Sequence, residues 1–82
     1  MEAVKKYAYQ KLTTMLSGQQ VRFISDCELF PNFDVIGKVM HTYMKGTELI
    51  FKVKTTTGKL LDIGSNMKNL RFQITQRQHY QH

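Results

Sequence analysis

The apolar positions of this chain change period once, near residue 18. In "MEAVKKYAYQKLTTMLSG" Val4, Ala8, Leu12, Met15 and Leu16 recur at three- and four-residue steps, the stripe of an amphipathic helix. Glu2 lies near the positive end of the helix dipole and four residues before Lys6, a favourable pairing. Gly18 can adopt the left-handed conformation that ends a helix. The spacing therefore predicts one helix over residues 1–17.

Beyond Gly18 the period is two, and five short strands are predicted over residues 20–75. "QQVRFISD" puts Val21 and Phe23 on one face, Arg22 and Ile24 on the other. "CELFPNFD" holds the only proline and reads as a loop flanked by Phe30 and Phe33. "VIGKVMHTYM" is a second strand, with Gly37 marking a bend, a bulge or the close passage of another backbone. After a turn at "KGTE", "LIFKVKTT" directs Leu49, Phe51 and Val53 inward and Ile50, Lys52 and Lys54 outward. "TTGK" is a hairpin turn with Gly58 at positive φ. "LLDIGS" is a fourth strand, and "SNMKNL" a single helical turn capped by Ser65 or Asn66. "RFQI" is the fifth strand, with Leu70, Phe72 and Ile74 inward and Arg71 and Gln73 outward. The tail from residue 76 to 82 lacks periodicity and reads as flexible.

A helix, five strands, the long first loop "CELFPNFD", and "SNMKNL" leading into "RFQI" resemble the SH3-like small barrels, which include KOW and Tudor modules. The likeness covers residues 20–75 and is one of fold. It implies a single α+β, mostly β, domain over residues 1–75. The N-terminal helix would pack on a five-stranded antiparallel barrel or close one end of it. An OB-like barrel is the nearest competitor. The chain has no tryptophan, which counts against a proline-peptide groove, and no aromatic cage for methyl-lysine aligns.

Eighty-two residues make one small domain, which buries only about 60% of the surface its unfolded chain exposes. The single cysteine, Cys27, excludes an internal disulfide and suits a reducing compartment. "MEAVKKYAYQ" lacks the apolar core of a signal peptide, and no apolar run approaches the roughly 20 residues that span a bilayer. The expectation is a soluble cytoplasmic protein.

Catalysis finds little support. Cys27 lies between Asp26 and Glu28, and neighbouring carboxylates raise a thiol pKa and oppose reactivity. Cys27, His41, His79 and His82 show no metal-ligand spacing, and His41 reads as a half-buried strand residue. Glu48 and Asp62 could face each other across the third and fourth strands, but Glu48 lies in a turn, and the six carboxylates are otherwise scattered. No metal, cofactor or enzymatic activity is expected.

Charge points towards binding. Twelve Lys/Arg stand against six Asp/Glu, a net charge of +6, which favours anionic partners. Strand alternation directs Arg22, Lys38, Lys52, Lys54 and Arg71 outward, with Lys45, Lys59 and Lys68 at turns beside them. Lysine predominates over arginine, which suits contact with a phosphate backbone better than base readout. Tyr7, Tyr9, Tyr43, Phe30 and Phe33 are candidates for stacking on unpaired bases. The reading is a non-catalytic nucleic-acid-binding module. Its rival is a protein-binding or homodimerising accessory module that uses Phe30, Phe33, Met40, Tyr43 and Met44, an adaptable Met- and aromatic-rich surface. Small basic domains of this kind are also what phages and mobile elements encode against host components.

Overall fold

The computed structural model describes residues 1–26 and 33–75. Its elements are β1 (Glu2–Ala3), a single 3₁₀ turn (Val4–Lys6), α1 (Tyr9–Leu16), β2 (Gln20–Ser25), β3 (Phe33–Lys45), β4 (Glu48–Thr55), β5 (Leu60–Gly64) and β6 (Arg71–Ile74). The strands form one antiparallel sheet in the order β1-β6-β2-β3-β4-β5. The protein is mostly β with one short helix. The expected five strands are six among the described residues, and the sheet is not closed into a barrel.

The expected helix over 1–17 is shorter. Glu2 and Ala3 instead lie against Phe72 and Arg71 of β6, and the Val4 N–H donates to the Leu70 carbonyl at 2.9 Å. An otherwise open strand edge offers this segment backbone partners that a local helix pattern does not reveal. The chain stays extended through Tyr7 and Ala8 before α1 begins. Val4, Leu12 and Leu16 of the predicted stripe still reach the core, whereas Ala8 is exposed. Gly18 ends the helical segment at φ 80° as expected, and its N–H donates to the Val39 carbonyl at 2.8 Å. The helix is thereby joined directly to the sheet.

One face of the sheet is apolar. Val21 and Phe23 of β2, Val39 of β3, Phe51 and Val53 of β4, Ile63 of β5 and Phe72 of β6 form a single cluster with Leu12 and Leu16. The Phe23 and Phe51 rings lie 5.2 Å apart at its centre. Alternation fails in two places. Ile50 is buried although its neighbours in register point outward, because Tyr43 lies opposite it and Met67 lines the same surface. Ile74, expected inward, is exposed at the end of β6.

Two irregularities shape β3. Met40 is an extra residue between the pairs Val39↔Val53 and His41↔Lys52, a bulge that reverses which parity of residues faces the core. After it Thr42 turns towards α1, and its hydroxyl lies 2.9 Å from that of Thr13. Gly37 marks a close passage: a Cβ there would lie 2.5 Å from Val53 Cγ1 and 2.6 Å from the Lys54 carbonyl oxygen. The turns behave as expected at "KGTE" and at Gly58, which has φ 89°. "SNMKNL" does not form a helical turn. It is a pair of turns closed by Met67 N–H to Gly64 C=O (3.1 Å) and Leu70 N–H to Met67 C=O (3.2 Å), with Asn69 at φ 57°. Ser65 is buried instead of capping: its hydroxyl accepts the Leu49 N–H at 3.1 Å and donates to Tyr9 Oη at 3.3 Å. The expected flexible tail, 76–82, and the loop residues 27–32 lie outside the described residues.

Two substitutions test this packing. Leu12→Ala should cost about 2–5 kcal/mol in urea denaturation, as for other fully buried leucines. Gly37→Ala should also destabilise the domain, because the new methyl meets backbone as well as a side chain. A midpoint unchanged by Leu12→Ala would show that α1 is not docked.

Candidate nucleic-acid interface

The face of the sheet opposite the core carries the cations. Cross-strand partners share a face, and the register places Arg22 beside Ile36, Lys38 beside Lys54, Lys52 beside Asp62 and Arg71 beside Ile24. All five candidate cations therefore stand on one surface. They are not equivalent.

Three of them are tied to carboxylates. Arg22 donates to both oxygens of Asp34, Nε to Oδ1 at 2.9 Å and a terminal nitrogen to Oδ2 at 2.7 Å. This two-bond geometry holds the Asp34 carboxyl below its ordinary range and raises the Arg22 guanidinium. Arg71 meets both oxygens of Asp26 at 3.1 Å, and Lys52 lies 3.3 Å from Asp62. Along the N-terminal segment, Glu2 takes Lys6 at 3.5 Å. Glu48 instead accepts the Asn66 N–H at 3.0 Å. Every acidic side chain among the described residues is thus engaged.

Lys38 and Lys54 remain. They are direct cross-strand partners on β3 and β4, both exposed, and neither has a carboxylate within ion-pair distance among the described residues. They line an open depression of about 410 Å³ with Gly18, Gln20, Gly37, Thr55 and Thr56. Gly18 is brought to it by its hydrogen bond to the Val39 carbonyl, and Gln20 is the cross-strand partner of Lys38. Like charges directly opposite each other destabilise a sheet. This pair therefore costs the fold something in the absence of an anion.

The aromatic candidates are placed differently. The Tyr7 ring lies 5.8 Å from Phe72, and its hydroxyl donates to Glu2 Oε1 at 3.1 Å. Partial burial and that carboxylate raise its phenol above the ordinary value. Tyr9 is held by Ser65. Both belong to the segment that covers the core face. Tyr43 shares the outer face, 6.1 Å from the His41 ring, but the Lys52–Asp62 pair stands between it and Lys54. Phe33 is half-buried against the core, and Phe30 lies outside the described residues. Met40, Tyr43 and Met44 are exposed, but Tyr43 and Met44 are successive strand residues and point to opposite faces. Among the described members of the set expected to form a protein interface, Tyr43 and Met44 therefore do not share one face of the sheet.

The other chemistry considered remains dispersed. His41 is exposed, not half-buried, and no group of three potential metal ligands occurs among the described residues. Glu48 and Asp62 line one shallow depression with Tyr43, Ile50 and Met67, each occupied by its own partner. Cys27, His79 and His82 lie outside the described residues. No described helix is long and apolar enough to cross a membrane. The sequence offered no means of separating Lys38 and Lys54 from the other cations; that distinction needs the register and the positions of the carboxylates. Comparison with protein-family models, with curated proteins and with solved structures found no match to this chain.

Two predictions follow from these pairings. Lys54→Gln should raise stability by up to about 1 kcal/mol, since it removes a like-charge pair; urea denaturation at low salt measures it. The depressed Asp34 pKa stabilises the fold above the ordinary carboxylate range, and that contribution is lost as pH falls through the lower folded value. Asp34→Asn should therefore be less stable than the parent at pH 7, and the difference should shrink as pH falls below the ordinary carboxylate range and the parent loses the ion pair.

Proposed function

We propose that this protein is a non-catalytic module that binds nucleic acid through the phosphate backbone. The observation that carries the reading is the Lys38–Lys54 pair. In a molecule where each described carboxylate is engaged, two adjacent lysines on an exposed sheet face remain uncompensated above an open depression. Cross-strand Cβ atoms stand about 5 Å apart, so both ammonium groups can reach one phosphate or two successive ones. Lysine acts there as a mobile charge and reads no sequence.

Arg22, Lys52 and Arg71 contribute differently. Their carboxylate partners cancel much of their charge at a distance, so they orient the surface more than they attract the ligand. The strand order β6-β2-β3-β4-β5 is also compatible with a likeness in fold to the SH3-like small barrels, a class that serves as binding modules, although the sheet here is not closed. The fold by itself assigns no ligand.

Salt dependence separates this reading from a charge that merely maintains solubility. Oligonucleotide binding should weaken linearly in log salt, and Lys38→Gln/Lys54→Gln should reduce the slope by about 2, one per lysine. Lys5→Gln/Lys11→Gln removes the same net charge from the N-terminal segment and should leave most of the slope intact. Equal effects of the two double variants, or no binding at low salt, would refute the assignment.

A further inference from the structure

We infer that the Lys38–Lys54 face takes unpaired nucleic-acid strands in preference to duplexes. This rests on the backbone-binding reading above. The basis is what flanks the two lysines. Leu60 of β5 is the cross-strand partner of Lys54 and is 60% exposed. Ile36 lies two residues before Lys38 on the same face of β3 and is 41% exposed. The surface thus runs Leu60–Lys54–Lys38 across three strands, with Ile36 beside Lys38.

A duplex offers phosphates and sugars at its surface and keeps its base faces stacked inside. Leu60 and Ile36 would meet the hydrated backbone of a duplex and gain little. An unpaired strand exposes base faces on either side of each phosphate, and apolar side chains can cover them as the lysines hold the phosphate. Successive strands are about 4.8 Å apart and alternate residues of one strand about 6.8 Å, steps that suit the spacing of neighbouring nucleotides. The Lys52–Asp62 ion pair bounds the surface on the side towards Tyr43, because its compensated charge offers a phosphate little attraction in that direction. The strand therefore crosses β5, β4 and β3 rather than following β4.

The test compares a single-stranded oligonucleotide with its duplex against the full chain, using the parent, Ile36→Ser/Leu60→Ser and Leu60→Ser alone. Both side chains are exposed, so the variants should keep the parent's thermal midpoint, and Leu60→Ser serves if the double variant does not. The parent should bind the single strand at least tenfold tighter than the duplex. The double variant should lose about tenfold on the single strand, with duplex affinity and salt slope unchanged. Equal affinity for the two forms, or single-strand binding untouched by the apolar substitutions, would overturn this inference and leave the lysine–phosphate contact standing. No binding to either form would overturn both readings. Capture of phosphatidylglycerol vesicles in place of oligonucleotides would do the same, since it would assign the mixed cationic and apolar face to a lipid surface.

Discussion

The fold depends on the close passage at Gly37. There β3 and β4 approach so nearly that a single methyl group would collide with Val53 and with the Lys54 carbonyl. The approach brings Val39 opposite Val53 in the core. One residue away from Gly37, on the other face, it sets Lys38 opposite Lys54. The same backbone contact thus serves the packing of the apolar face and the charge density of the outer one. Any change that widens the gap at Gly37 should disturb both together.

The N-terminal segment completes this arrangement. A sheet of this size with one apolar face needs a cover, and 82 residues leave little chain for it. Val4 supplies the cover from a 3₁₀ turn, and Leu12 and Leu16 from a two-turn helix. The bonds of Gly18 and Gln19 to Val39 then return the chain to the sheet. Because that segment occupies the core face, Lys38 and Lys54 on the opposite face are left exposed among the described residues.

The carboxylates make the charge of the outer face uneven. Four cations are engaged at 2.7–3.5 Å, and such exposed pairs add little stability. Their consequence is spatial. They quench the field around Arg22, Lys52 and Arg71 and leave it concentrated at Lys38 and Lys54, next to two exposed aliphatic side chains. A uniform basic sheet would attract any polyanion; on the reading proposed above, this pattern favours one that also presents apolar surface.

Local chemistry in the sequence determined a good part of this. Period-two alternation placed Val21, Phe23, Phe51, Val53 and Phe72 inward and the five cations outward, because a pleated strand alternates whatever its neighbours do. Gly18, Gly46 and Gly58 marked turns because each needs a positive φ. The tertiary structure decided the rest. The open edge of β6 drew residues 2–4 out of a helix whose periodicity was sound, the extra residue at Met40 shifted the parity of the end of β3, and the cover over Ile50 buried a residue that alternation put outside. It also decided which of the five outward cations are paired among the described residues, since Asp34, Asp62 and Asp26 reach their partners from positions that only the register brings together. Side-chain direction is a property of one strand, whereas charge compensation is a property of the assembled sheet.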